Sequence, residues 1–365
     1  MTKATEKIKT YLRTRSWREL GYVIASLMAA FIIGGIILAI LQFNPLEVYL
    51  NIFVKAFTDF GQVLRRSTAL LLTALAVVIP IKCGMLNLGG EGQIMAGAFA
   101  AAIVGSGVSI IPGLHPIVAI LAATAVGAFF GWLPAMLKIK FGASEVVVTI
   151  MMNYIISYMC EYLTLYRFSG TETAPRTALV LESAKLPRAF EGAEWSVGLF
   201  IALGMCFLMA FMMNKTTLGL ELKSAGLNAG TARYLGIDVK RLAVLSMVIG
   251  GALAGMGGAL EVLGGKYSYY VGYFNNYGFD GVAISYMAMG SPIAILFTTI
   301  IIAVLKTGML SVERSIGVSN FYGTALQGII ITMLVCPYIM QSLFKGTGNV
   351  LGRRRRTHQK RREAS

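Results

Sequence analysis

The stretch "NLGGEGQIMAG", Asn87 to Gly97, sits between two apolar runs, yet it holds a carboxylate, Glu91, two amides, Asn87 and Gln93, and four glycines. A charge at the bilayer centre costs about 2.5–3.5 kcal/mol on insertion scales, so a chain keeps one there only where it faces protein or water. Glycines break a helix and expose backbone groups, which is tolerated where those groups line a cavity or pack on a neighbour. The stretch therefore reads as the broken start of a membrane helix.

The pattern occurs twice. Asn87-x-Gly89-x-Glu91-Gly92 returns as Asn276-x-Gly278-x-Asp280-Gly281 in "NYGFDGVAISYMAMG", at a constant offset of 189. Glycine-interrupted segments in matching positions of two hydrophobic halves point to a transport site. Two roles suit Glu91 and Asp280. Each can stabilise a helix N-terminus by about 0.3–1 kcal/mol, or each can face a polar solute. Asn87, Gln93 and Asn276 can bridge freed backbone groups or contact the same solute. A second polar set lies in "SEVVVTIMMNYIISYMCEYLTLY" (144–166), with Asn153 and Tyr154 in mid-span. Asn153 needs a partner, on another helix or on a solute. Asn87, Gly89, Glu91, Gly92, Gln93, Asn153, Tyr154, Asn276 and Asp280 thus form the candidate translocation set.

Composition agrees. The 365 residues are 56% hydrophobic and 13% charged, against about 25% charged in a soluble domain, and the mean hydropathy is +0.70. The net charge of +15 sits mostly in the tails: +4 in residues 1–19 and +7 from Lys345 onward. Both tails flank apolar spans, as cytoplasmic topogenic charge does, and "RRRRTHQKRR" also suits anionic lipid headgroups. Nucleic acid is the poorest reading of that charge. The four cysteines are scattered without a CxxC, and two distant histidines hold no metal. A Walker A loop, HExxH and GxSxG are all missing, so the chain carries no ATP site or hydrolytic centre of those kinds. No small-residue cleavage site follows the first apolar run closely, so no cleavable signal peptide is expected.

Candidate spans are 21–41, 63–81, 91–111, 116–137, 144–166, 196–213, 242–263, 278–290, 292–310 and 324–344, each judged against the roughly 20 apolar residues a crossing needs. The expected fold is an all-α polytopic membrane protein of about ten spans in two loosely repeated halves. Alternating from a cytoplasmic N-terminus places the basic loops inside and the loop Ser169–Trp195, richer in Glu than in Lys and Arg, outside. That outer loop, with its prolines and charges, is expected to be ordered weakly or by a partner. The inner loop 214–241 suits a short helix lying on the membrane surface, in a docking role. The run "GGALAGMGGALEVLGG" (250–265) has small residues four apart, Gly251–Gly255 and Ala254–Gly258, which favours close helix packing. The organisation is a basic tail at 1–19, a membrane domain at 20–344 and a basic tail at 345–365, with both tails cytoplasmic.

Four stretches in order, "GMLNLGGEGQIMAGAFAA", "SEVVVTIMMNYI", "LKSAGLNAGTARYLGIDVKRLAVLSMVIGGALAGMGGALEVLG" and "YGFDGVAISYMAMGSP", resemble the membrane permeases of ABC importers. The branch is that of ribose and branched-chain amino-acid permeases, and within it the simple-sugar and nucleoside subgroup of the guanosine-uptake type. The resemblance spans about 20–343. It implies a bacterial cell-membrane permease without a cofactor of its own, working with a cytoplasmic ATPase that holds ATP and Mg. It also implies a second permease in a heterodimer and an extracellular solute-binding lipoprotein. The segment 218–236 is similar to the ATPase-coupling segment, which marks Leu218, Glu221, Lys223, Gly226, Asn228, Arg233, Tyr234 and Gly236. Asn153 and Tyr154 match the subgroup's N-Y. The alternatives are an ABC permease for ribose-like sugars or branched-chain amino acids, an ion-coupled secondary transporter using Glu91 and Asp280, and a membrane scaffold or receptor.

Overall fold

A computed structural model describes residues 28–170 and 174–335, and among them every named element is helical, with isolated β-bridges only. The helices are α1 (Met28–Ile40), α2 (Pro45–Thr58), α3 (Phe60–Lys82), α4 (Gly90–Gly107), α5 (Leu114–Phe141), α6 (Glu145–Tyr166) and α7 (Gly198–Lys215). There follow α8 (Thr217–Leu227), α9 (Ala229–Tyr234), α10 (Val239–Glu261), α11 (Tyr277–Met287), α12 (Pro292–Ile316) and α13 (Asn320–Val335). The basic tails, and the ends of the first and last expected spans, lie outside the described residues.

Among the described residues, six helices are long and apolar enough to cross a membrane: α3, α5, α6, α7, α10 with its π-turn to Lys266, and α12. A seventh crossing is counted if α1 and α2, bent by 119° at their break, make one span. Two of the expected spans are not among the six. The span expected at 91–111 is α4, which has 18 residues like α7 but a polar GEGQ start, and that expected at 278–290 is α11, with only 11 residues. The polar, glycine-rich starts of both account for the shortfall, because the preceding residues run as loops.

The chain divides into two compact units, 53–308 and 1–52 with 309–365. In the first, α3 is the central post: its most apolar window is 83% buried, against 28% in α5 and 22% in α6. A helix that is hydrophobic all round belongs inside, and Ser67 to Pro80 are buried without interruption. The helix α10 packs on α5 and α4 through glycine. A Cβ at Gly255 would lie 2.4 Å from the Ala123 carbonyl oxygen, one at Gly251 2.2 Å from that of Gly127, and one at Gly258 2.3 Å from that of Ile94. Backbones this close leave no room for a side chain, as the spacing of small residues in 250–265 predicts. On α5 the matching glycines are Gly127 and Gly131, whose Cβ atoms would meet Gly251 and Met247 oxygens at 2.3 and 2.2 Å.

The loop after α6 departs from expectation. It is fastened by backbone hydrogen bonds from Thr177 N–H to the Tyr269 carbonyl (3.0 Å), Val180 N–H to Tyr267 (2.8 Å), Leu181 N–H to Gly105 (2.9 Å) and Leu186 N–H to Leu263 (2.9 Å). Prolines and charge mark a loop but do not show that the π-turn and the stretch after it offer free backbone partners. The described part of the loop, 174–195, thus takes backbone partners from its own chain.

The second unit is small. Tyr49 on α2 donates to the Phe31 carbonyl on α1 (2.7 Å) and meets the Tyr322 hydroxyl of α13 at 3.2 Å. Gly34 admits this approach: a Cβ there would lie 2.5 Å from Leu326 Cδ1 and 2.8 Å from Tyr49 Oη.

Candidate translocation site

The loop from α3 to α4 closes on itself. Asn87, fully buried, and Gln93 pair through both amides, Nδ2 to Oε1 at 2.9 Å and Nε2 to Oδ1 at 3.2 Å. Asn87 Oδ1 also accepts from the Gly89 N–H (3.1 Å), and its Nδ2 reaches the Ala76 carbonyl (3.3 Å). The first residues of a helix leave N–H groups unpaired, and α4 has no side-chain cap of its own. Asn153 of α6 supplies one from across the packing interface. Its Oδ1 accepts from the Gly92 N–H and its Nδ2 donates to the Leu88 carbonyl, both at 2.8 Å. Gly92 lets α6 come this near, because a Cβ there would lie 2.9 Å from Ile156 Cδ1 and 3.1 Å from Asn153 Cα. Asn87, Gln93 and Asn153 thus spend their amides on the chain. Tyr154, next in sequence, turns away and is 58% exposed.

The two copies of the repeat meet. A Cβ at Gly278 would fall 2.3 Å from the Glu91 backbone nitrogen, and Gly90 stands 3.7 Å from Gly278 Cα on the same measure. Thr73 of α3 lies beneath both copies: a Cβ at Gly281 would be 2.8 Å from its Cγ2, and one at Gly90 3.5 Å. The N-termini of α4 and α11 therefore cross at Glu91 and Gly278, against the central helix. Asn276 takes the left-handed conformation (φ 69°) that turns the chain into α11, a conformation asparagine adopts more readily than most residues.

The carboxylates of the copies differ in company. Asp280, in the first turn of α11, is 3% exposed and forms an ion pair with Lys306 of α12. The Lys306 ammonium also sits 4.5 Å from the centre of the Tyr277 ring. Glu91 has the Asn276 backbone N–H, Asp280 and Lys306 as its electrostatic neighbours, and its Oε2 is buried without a hydrogen-bond partner. The N-cap residues themselves, Gly89 of α4 and Asn276 of α11, make no side-chain cap hydrogen bond.

A second buried ion pair continues from this crossing. Arg65 of α3 donates to Glu261 of α10 at 3.0 Å, and the Tyr273 hydroxyl donates to the same carboxylate oxygen. Tyr273 and Tyr277 stand 6.0 Å apart, ring centre to ring centre. Arg65, Glu261, Tyr273, Tyr277, Lys306 and Asp280 form one polar string through the apolar core, ending at Glu91. Among these residues the sequence reading names only Asp280 and Glu91. The signal for the others was present: Lys306 and Glu261 are lone ionisable residues in apolar runs, a functional hypothesis by default.

At the end of α3 the segment 214–241 folds as α8 and α9, capped by Thr216, which accepts from the Gly219 N–H (3.2 Å), and by Asn228, which accepts from that of Thr231 (3.0 Å). Asn228 is thus a helix cap, and Lys223 donates to Asn214 Oδ1 at 3.0 Å. Gly226 is pressed on the chain after α3: a Cβ there would lie 2.2 Å from the Lys82 carbonyl oxygen and 3.0 Å from the Gly84 nitrogen. Leu218 and Glu221 are half-buried, Arg233 is exposed, and Gly236 turns the chain out of α9 at φ 80°. Tyr234 is 95% exposed, and Leu220, Leu227 and Leu235 are open beside it in sequence.

The profile of the family described as "Branched-chain amino acid transport system / permease component" matches residues 60–335. The chain belongs to this family. The permease is 33% identical to the nucleoside ABC transporter permease protein NupB of Lactococcus lactis subsp. cremoris (strain MG1363), over 78% of this chain and 82% of that one. It is 30% identical to the guanosine ABC transporter permease protein NupP of Bacillus subtilis (strain 168), over 89% and 96%. The glucose ABC transporter permease protein TsgB13 of Haloferax volcanii is also 30% identical, over 88% of both chains. The first two strains each hold a second, more distant relative of the permease, NupC and NupQ, with the same descriptions.

Proposed function

We propose that the permease is the membrane subunit of an ATP-driven ABC importer that moves nucleosides, or related simple sugars, into the cell. The observation that carries this is the crossing of two repeated half-helix N-termini at Glu91 and Gly278, with ionisable side chains strung through the core beside it. Broken helices meeting at mid-membrane are how transport proteins build solute sites, and relatives named for nucleoside and guanosine transport cover most of the chain. The glucose transporter relative keeps simple sugars within the reading.

On this reading the chain is a plasma-membrane protein of about ten spans in two related halves, with both ends cytoplasmic and basic tails against the lipid. The segment 214–241 is the coupling element. Leu220, Leu227, Tyr234 and Leu235 offer apolar surface to a cytoplasmic ATPase, which holds ATP and Mg; this chain supplies no cofactor. The paired relatives in two bacteria support a second permease as the heterodimer partner. An extracellular lipoprotein brings the solute. Glu91 and Asp280 face the pathway, while Asn87, Gly89, Gly92, Gln93 and Asn153 hold its walls in shape.

The test is a purification in mild detergent from the native host by an N-terminal tag, followed by uptake of labelled guanosine. Co-purification of an ATPase and a second permease, with guanosine uptake that stops without ATP, is the expected result. A preparation free of any ATPase that transports on a proton or sodium gradient would replace this reading with an ion-coupled one.

A further inference from the structure

Tyr277 is the first residue of α11 and lies at the half-helix crossing. Its side chain is 2% exposed, yet its hydroxyl has no hydrogen-bond partner in the chain. The groups around it are engaged elsewhere. Lys306 sits over the ring face and pairs with Asp280, and the Tyr273 hydroxyl donates to Glu261. Two carboxylate oxygens on the same polar string, Glu91 Oε2 and Glu261 Oε2, are also buried without partners. Buried polar atoms are nearly always paired, so an unpaired set in one place calls for an explanation. A phenylalanine at 277 would keep the ring contacts and avoid burying the unpaired hydroxyl. The tyrosine therefore has a use that packing within the chain does not supply.

The missing partner has a definable chemistry. A phenolic hydroxyl both donates and accepts, and the two carboxylate oxygens accept only. Their complement is a neutral group rich in O–H donors. A sugar hydroxyl, donor and acceptor at once, meets that description. We propose that Tyr277 is a recognition residue of the translocation pathway, exchanging a hydrogen bond with a hydroxyl on the sugar ring of the solute as it passes the half-helix crossing. The proposal rests on the nucleoside-import reading and assigns its selectivity to the membrane subunit as well as to the protein that delivers the solute.

The experiment uses the whole importer in proteoliposomes: this chain, its second permease, the ATPase and the solute-binding protein. Maximal import rates are measured at saturation for guanosine, 2′-deoxyguanosine and 3′-deoxyguanosine, so that the binding protein's own preference drops out. Y277F is expected to lower the guanosine rate roughly tenfold, the worth of one well-placed hydrogen bond. The analogue that lacks the hydroxyl met by Tyr277 is imported by Y277F as fast as by the wild type. The variant melts in detergent at the wild-type temperature or above. Equal losses on all three solutes, no loss on any, or a lower melting temperature would overturn the proposal. A wild-type importer that moves none of the three overturns the nucleoside reading, and the proposal with it.

Discussion

Asn153 shows how one amide decides whether a broken helix survives in a bilayer. It serves the Gly92 N–H and the Leu88 carbonyl together. Asn153→Ala leaves both unpaired and is expected to destabilise the fold by about 2–6 kcal/mol, at 1–3 kcal/mol for each orphaned group. Asn153→Asp keeps the acceptor, loses the donor and should fall between. Melting curves in detergent read the order directly, and an alanine variant as stable as wild type would remove the capping role. Lys306 makes a second test. Removing one member of a buried pair typically costs about 3–5 kcal/mol, whereas replacing both is often tolerated. Lys306→Met should therefore be poorly folded, and Asp280→Asn combined with Lys306→Met should regain most of the folded yield; a double variant worse than the single would show that the pair is not the source of the loss. These side chains were legible to different degrees. Asn153 stood out as an amide that must find a partner in an apolar span. Which partner it finds depends on packing across more than 60 residues, and no local pattern carries that. Lys306 was visible as a lone cation, but the hydrophobicity of 292–310 absorbs it.

At the scale of elements, backbone proximity sets the architecture. Gly255→Ala puts a methyl 2.4 Å from the Ala123 carbonyl oxygen, in a seam where the obstructing atoms are backbone. The two helices must part, at an expected cost of about 1–3 kcal/mol and a matching loss of detergent-stable protein. Gly204→Ala on α7 is the control. Nothing lies within 4 Å of the new methyl, and replacing a mid-helix glycine should be neutral or stabilising by roughly 0.5–1 kcal/mol. Equal effects at the two sites would mean that the seam is not tight. The small-residue spacing on α10 announced this seam, and the repeated carboxylate motif announced the half-helices. The length of α11 and the binding of the outer loop to residues 263–271 did not show. Hydropathy counts apolar residues, and it is blind to where a helix must begin and to which backbone groups stand ready to pair.

Across the whole molecule, the contacts of Gly226 tie the segment 214–241 to the core. It presses on Lys82 and Gly84, the Lys82 side chain reaches Gly290 at the end of α11, and the chain beyond Gly84 leads to Asn87. If the segment couples as proposed, a shift of α8 would reach both half-helices through this one short turn. Gly226→Ala is expected to leave the ATPase bound but to cut solute-stimulated hydrolysis severalfold, while Tyr234→Ala weakens co-purification of the ATPase itself. Stimulation at the wild-type level in Gly226→Ala would sever this route. Its resemblance to coupling segments singled this segment out in the sequence; its seat against Lys82 was not legible there, because a glycine's value there lies in the atoms it lacks.

The Arg65–Glu261 pair bears on how the protein is made. Its members are 196 residues apart in the chain, so on a ribosome adding about 5–20 residues per second, α3 waits roughly 10–40 seconds for its counter-charge. During that interval Arg65 and Arg66 keep their charges near water or the lipid headgroups, and α3 cannot settle as the central post. The permease is therefore expected to complete its core late, with α3 taking its final place only once Glu261 has been made.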